Sequence, residues 1–436
     1  MTRKDLGNGS SPSANGGVDM QKHAKYVLFV LFVVYIFNFA DRFILIVVQE
    51  DVKKDLGLSD AQLGWLTGLA FALFYTTVGI PIARLADRKN RTTIMAIGLT
   101  LWSGLTAVCG LAQNFVHLIL ARIGVGVGEA TATPCAHSLI SDYYPPEKRA
   151  RAIGVYTIGA NFGMILGMMG GGFIAQKFGW RAAFFVVGLP GILLALLVKL
   201  TVREPPRGLA DNLTGEIQNL PLGETLAYLF SLKSFRHLCI AGAVAALTGF
   251  GIMTWCAPFF ERLHGMTKDE TGPVLGVAMG VVGGVSTFLG AFLADKLSAR
   301  TRKWYMRIAA IGMLLMLPFL VLFIMAESKT MAIIGINLTF LFGLFYNAPT
   351  FSMVQGLARP DMRALASAIF LFIVNLVGMG LGPLLVGWLS DVLEPSYGVE
   401  SIRYALLIVT GGTLWASAHY LLASRTLPED LDRAKQ

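Results

Sequence analysis

The sequence predicts an all-α integral membrane protein: twelve transmembrane helices in two six-helix bundles. Three observations predict it. Hydrophobic residues make up 55% of the chain, charged residues 14%, and the mean hydropathy is +0.62, far too little charge to cover a soluble protein of this length. Apolar runs of about 20 residues, enough to cross a bilayer, recur along the whole chain. The second half also repeats features of the first in the same order.

Taken in order, residues 1–23 open with a Gly-, Ser- and Asn-rich stretch, expected to be a disordered cytoplasmic tail. The first bundle, 24–201, has spans near 24–49, 61–83, 92–111, 116–138, 150–175 and 181–201. Residues 202–236 read as a cytoplasmic linker, in which Pro205-Pro206 stiffens the exit from span 6 and "PLGETLAYLFSLKSF" suggests a short helix on the membrane surface. The second bundle, 237–423, has spans near 237–260, 271–293, 305–326, 331–357, 365–389 and 402–423, and 424–436 form a cytoplasmic tail. Lipid offers no partner to irregular backbone, so each span must be a helix. No cleavable signal peptide is expected, because the first apolar stretch is long and no small-residue cleavage site follows it.

Charge gives the orientation. With the N-terminus cytoplasmic, 25 of the 36 Lys and Arg residues lie in the tails and loops of that side, 8 lie in the opposite loops, and Arg42, Arg122 and Lys199 lie within spans. This follows the positive-inside rule and places both termini in the cytoplasm of a plasma (inner) membrane. The net charge of +9 is thereby spread over short loops, which argues against nucleic acid as a partner.

The two halves match in several places. "ARLADR" (83–88) returns as "AFLADK" (291–296), and "PEKRARA" (146–152) as "PDMRALA" (360–366); Gly163, Gly167 and Gly172 return as Gly378, Gly382 and Gly387. A parallel repeat of two bundles places a substrate cavity between them near the membrane midplane. Other patterns have plain explanations. Cys109, Cys135, Cys239 and Cys256 fall in apolar segments with no metal-ligand or disulfide spacing. Gly124, Gly126 and Gly128 lack the βαβ context of a dinucleotide site and read as helix packing, as does the ridge Gly159, Gly163, Gly167, Gly171. No metal, cofactor or ATP-binding loop is expected.

"ARLADRKNR" after span 2 resembles the signature loop of the major facilitator superfamily, with Ala83 where Gly is usual. "NFADRF" (38–43), "RIGVGVGEA" (122–130) and "REPPRG" (203–208) look like the Spinster family of lipid transporters; the likeness covers spans 1–6, and spans 7–12 follow only the general superfamily pattern. The resemblance implies a monomeric secondary transporter working by alternating access. Known members move sphingosine 1-phosphate or lysophospholipids, and proton coupling has been proposed for them. It also implies that spans 1 and 4 are neighbours, and that Asp87 contacts the start of span 11 when the cytoplasmic side is closed. Arg88 and Arg91 join it in a cytoplasmic gate, and by the repeat Asp295 serves span 5. Helix N-termini attract carboxylates, so the chemistry is sound. Span 5 further resembles the Gly-rich motif of drug/proton antiporters, but Met168 stands where that motif has Pro.

The charges inside spans 1 and 4 carry the functional expectation. A charge at mid-span costs roughly 2.5–3.5 kcal/mol on insertion scales. Asp41 lies ~22 Å along span 1 from Tyr26, too deep for so short a side chain to reach the interface. Arg122 and Glu129, seven residues apart, share a face of span 4. Asp41, Arg42, Arg122 and Glu129 are therefore expected to meet in one wet pocket. A structural ion pair locking spans 1 and 4 is the plain alternative. The functional reading makes Glu129, with Asp41, the proton carrier, and gives Arg42 and Arg122 to the substrate: protonation frees Arg42 to hold an anionic headgroup.

The expectation is thus a secondary active transporter, proton-coupled, for a small amphiphilic lipid-like substrate, with membrane lipids around it. The rivals are a symporter for small organic anions, a multidrug/proton antiporter and, from another class, a membrane enzyme acting on lipids. No Ser/His/Asp set or paired catalytic carboxylates favour the enzyme.

Overall fold

The computed structural model describes residues 14–207, 222–359 and 362–434. Its long helices run from His23 to Leu56 (span 1), Asp60–Arg88 (2), Arg91–Cys109 (3), Phe115–Tyr143 (4), Pro146–Phe178 (5), Trp180–Thr201 (6), Lys233–His264 (7), Lys268–Ser298 (8), Trp304–Met325 (9) and Lys329–Leu357 (10). Residues 363–397 form span 11, and after Gly398, whose φ of 55° turns the chain, Ser401–Arg433 forms span 12. Large apolar side chains such as Leu193, Leu200 and Phe288 stand exposed on the outer surface, as lipid-facing residues do.

The two chain ends share one face, here the terminal face. Tyr26 near the start of span 1 donates to Thr201 at the end of span 6 (2.7 Å). Asp430 near the end of span 12 accepts from the Ser234 N–H at the start of span 7 (2.7 Å). That cap explains a difference from expectation. Residues 424–433 are not a tail but continue the helix of span 12, with Leu427 and Leu431 buried against Leu232 and Phe235. At the other end the first helix already begins at Ala14, inside the segment expected to be disordered; residues 1–13 lie outside those described. The surface helix of the linker runs Leu222–Ser231, and Pro221 lies outside.

The helices are interrupted in register with the repeat. Span 4 breaks at Ala130–Thr131, between helices Phe115–Glu129 and Ala132–Tyr143. Pro134 has no N–H for the Ala130 carbonyl, so the bond that would carry the helix through is missing. Span 10 breaks between Gly343 and Asn347, with Pro349 in the same place after the break. π-helical turns lie in spans 2, 5, 8 and 11, at Trp65–Leu69, Leu166–Gly170, Val277–Val282 and Asn375–Leu381. These four spans form the seam between the bundles: span 2 crosses span 11, and span 5 crosses span 8. Glycines allow the close approach. A Cβ on Gly68 would sit 2.6 Å from the Gly380 carbonyl, and one on Gly272 would sit 2.4 Å from that of Met168.

The hydrophobic core shows how the halves meet. Toward the face opposite the termini, the distal face, one core holds residues of both bundles, among them Val47, Leu63, Phe184, Trp255, Phe259 and Val386. Toward the terminal face the core divides, one part around Leu31, Trp102 and Leu139, the other around Phe235, Met313 and Tyr420. The bundles are thus joined distally and diverge toward the termini.

Candidate functional site

The four intramembrane charges converge in two ion pairs between spans 1 and 4. Arg42 Nε donates to Glu129 Oε2 at 2.5 Å. Arg122 Nη1 lies 3.5 Å from Asp41 Oδ1. Asp41, Arg122 and Glu129 are buried, whereas the Arg42 side chain keeps 16% of its surface exposed. Of the two guanidiniums, Arg42 is therefore the one a solute can reach. Asp41, Arg122 and Glu129, being buried, do not face lipid.

Local structure places them. Glu129 is the last residue before the break in span 4, so its carboxylate stands where the helix is interrupted. The break fits against span 3 because Gly98 has no side chain: a Cβ there would lie 2.0 Å from Thr131 Oγ1. Gly126 and Gly128 do the same work, bringing span 4 onto the Phe71 carbonyl of span 2 and onto Trp102 of span 3. Hence the GxGxG packs helices.

Two further sets of residues complete the site. Phe39, Phe71 and Tyr75 surround the Arg42 guanidinium at 5.1, 4.9 and 4.7 Å from their ring centroids, and Phe71 also lies under Arg122 at 5.2 Å. Such rings stabilise a cation in a poorly hydrated place. Thr106 of span 3 hydrogen-bonds Asp41 Oδ2 and also reaches its own Trp102 carbonyl at 2.9 Å. Neither Thr106 nor the aromatic rings were singled out in the sequence. Both residue types are ordinary inside an apolar helix.

The residues grouped at the expected gate are placed differently from one another. Asp87 and Arg88 end span 2 and are exposed; Asp295 is exposed and accepts from Tyr305 Oη within its own bundle (2.9 Å). Arg91 lies inside the first bundle, buried. It binds Asp142, Glu204 Oε1 (2.7 Å), Ser138 Oγ (2.9 Å) and the Pro205 carbonyl (2.9 Å), and so clamps the linker to the ends of spans 3 and 4. Arg207 donates to the carbonyls of Ala86 and Lys89 (2.8 Å each) at the C-terminus of span 2. Burial alone would raise the Glu204 pKa. The N–H and hydroxyl of Thr92 and the guanidinium of Arg91 outweigh it, and the pKa lies below the usual glutamate range.

Comparison with known proteins agrees with this architecture. The model of the Major Facilitator Superfamily matches residues 31–383. An "MFS-type efflux pump" of Mycolicibacterium smegmatis is 34% identical, covering 92% of this chain and 93% of the relative. "Protein spinster homolog 1" of Xenopus tropicalis is 26% identical, over 95% and 83%. Among solved structures, a bacterial homologue of the human lysosomal transporter Spinster, described as inward-facing and unoccupied, superposes with a TM-score of 0.86 at 32% identity, covering 94% of this chain and 98% of that one. This protein belongs to the major facilitator superfamily, whose members are secondary transporters working by alternating access, and within it is similar to the Spinster transporters.

Proposed function

We propose that the protein is a proton-coupled transporter of an amphiphilic, anionic, lipid-like substrate of the lysolipid or sphingoid phosphate type. One observation carries the reading: the reachable guanidinium, Arg42, is held by a buried carboxylate, Glu129, at 2.5 Å. Burial disfavours an ionised Glu129 and the guanidinium favours it, so its charge depends on whether Arg42 stays. An anionic headgroup that takes Arg42 through paired N–H···O bonds removes the cation from Glu129, which then accepts a proton. Headgroup and proton thus load together. Asp41, with Arg122 and Thr106, is the second proton-holding group in the same chamber. The resemblance to the Spinster family is what suggests a lipid-like substrate, and the efflux-pump relative keeps a multidrug/proton antiporter in view.

The placement proposed follows the charge distribution. Both termini, the linker after span 6 and the basic loops face the cytoplasm across a plasma (inner) membrane, and the chain works as a monomer of two bundles, spans 1–6 and spans 7–12, the second running from Lys233 to Arg433.

The test is flux in proteoliposomes under an imposed pH gradient, against lysolipids, sphingoid phosphates and cationic drugs. Anionic lysolipid or sphingoid phosphate flux that follows the gradient, and ceases to follow it in Glu129→Gln, supports the reading. A Glu129→Gln protein that follows the gradient like wild type contradicts the proton assignment, and gradient-driven flux of cationic drugs alone contradicts the substrate class.

A further inference from the structure

A groove runs down the outer surface of the first bundle, between spans 1 and 5, starting at the terminal face. It holds about 250 Å³ and is lined by Lys25, Leu28, Phe29 and Phe32 of span 1 and by Val155 of span 5. Apart from Lys25 at its mouth, these side chains are apolar. Phe29 and Val155 stand exposed along it, and Phe32 meets Phe162 of span 5 edge-on, with ring centroids 5.8 Å apart. Beyond Val155, toward mid-membrane, the same face of span 5 carries the exposed Ile158 and Phe162.

Glycine contacts fix the register of the two helices. A Cβ on Gly159 would lie 2.9 Å from the Phe32 carbonyl oxygen, one on Gly163 2.5 Å from that of Ile36, and one on Gly167 2.7 Å from that of Ala40. Spans 1 and 5 therefore run side by side from the terminal face, four residues of one matching four of the other. Carried back toward that face, the register puts Val155 level with Leu28, and Arg151 level with Ala24 and Lys25. Arg151 precedes Val155 by one turn, on the same face of span 5. Lys25 and Arg151 are exposed, and among the described residues neither forms an ion pair. Glu147 and Lys148, exposed in the preceding turn, offset one another. The groove thus has two unpaired cations at its mouth and hydrocarbon along its length.

We infer that this groove binds one anionic phospholipid of the leaflet on the terminal side, at a site separate from the transport chamber. Lys25 and Arg151 hold the headgroup phosphate, and one acyl chain lies along Leu28, Phe29, Phe32 and Val155. From Lys25 to Phe32 the helix advances ~10 Å, roughly two-thirds of the hydrocarbon depth of one leaflet. Charge selects the class of lipid. Basic side chains at the membrane surface attract anionic headgroups, whereas a zwitterionic headgroup brings a cation of its own to the same two side chains. Both walls of the groove belong to one bundle and are packed on each other through Gly159, Gly163 and Gly167. Movement of one bundle against the other therefore leaves the site intact. Span 1 also carries Asp41 and Arg42, so the lipid braces the outer face of a helix that builds the central chamber.

The site needs no transport substrate and is tested without one. Native mass spectrometry of the full chain in detergent reads the affinity for the first phosphatidylglycerol molecule and for the first phosphatidylcholine of the same chain length. Wild type should bind phosphatidylglycerol more tightly. Lys25→Gln with Arg151→Gln should weaken it roughly 30-fold, the loss expected for two basic side chains at a membrane surface, and remove the preference. Arg300→Gln with Arg302→Gln takes the same charge from two exposed positions in the loop after span 8, and should leave the first binding step nearly unchanged. Val155→Trp fills the groove without altering charge and should weaken both lipids. Equal binding of the two lipids by wild type overturns the inference. So does an equal loss in the two double variants, which would assign the attraction to the basic face as a whole. Unchanged phosphatidylglycerol binding in Val155→Trp overturns the groove as the place where the lipid sits.

Discussion

Spans 4 and 10 are the same backbone with different chemistry. Both break just before a proline, Pro134 and Pro349, at equivalent places in the repeat. Span 4 puts Arg122 in its middle and Glu129 at the break; span 10 puts Asn337 and Leu344 at the matching positions. Asn337 bonds its own helix at Ile333 O (2.8 Å), and the Leu344 N–H at the break is met by Ser286 Oγ (3.2 Å). The break is therefore an inheritance of the fold, satisfied by an ordinary hydroxyl in the second bundle. In the first it presents a carboxylate to an arginine. Among the described residues, the mid-membrane ion pairs lie in the first bundle.

The largest expected effect divides these two helices directly. Glu129→Gln should abolish the response of flux to an imposed pH gradient, and Leu344→Gln should leave that response in place. If Leu344→Gln abolishes it too, the break rather than the carboxylate is what matters. Next in size, Arg122→Leu strands Asp41 and should cost about 3–5 kcal/mol, the usual penalty for removing one partner of a buried pair. Asn337→Leu, which loses one local hydrogen bond, should cost only about 1 kcal/mol. Thermal unfolding in detergent compares them, and equal losses would mean that the ion pair of span 4 contributes nothing particular. A smaller effect is expected at the terminal gate: Asp87→Asn should raise the inward-open fraction, seen as greater labelling of cysteines on the terminal side of the cavity and less on the distal side. The smallest concerns the linker clamp. Because the Glu204 pKa is lowered on folding, the stability it lends is present above the ordinary glutamate range and lost as pH falls through its folded value. Glu204→Gln should thus lower the melting temperature at pH 7, and the gap to wild type should narrow in acid. A gap independent of pH would assign the effect to packing.

Part of this site was legible because lipid makes charge conspicuous. Asp41, Arg42, Arg122 and Glu129 stand out in apolar runs, and helical spacing alone put the last two on one face. Thr106 did not stand out: threonines in these helices commonly bond their own chain four residues back, as Thr76 and Thr100 do, and only the fold shows a carboxylate beside one of them. Arg262, which pairs with Asp60 across the bundles at 2.6 Å, and Asp391, which accepts from the Asp60 N–H at 2.9 Å, were hidden for the opposite reason. They lie near span ends, where charges are unremarked, and their pairing joins residues more than 200 positions apart. Arg91 was grouped with Asp87 by proximity in the loop, yet it points into its own bundle. The twelve spans could be read from hydropathy. The π-helical turns could not, since no residue type marks them and they arise where two helices cross on glycine.

The central claim is that headgroup and proton load together through Arg42 and Glu129. It is tested most directly by counting protons when an anionic lysolipid binds to the purified protein in weakly buffered detergent. A switch at Glu129 predicts net proton uptake approaching one per protein molecule for wild type, and none for Glu129→Gln with binding retained. Binding without proton uptake in wild type, or the same uptake in the Gln variant, would contradict it.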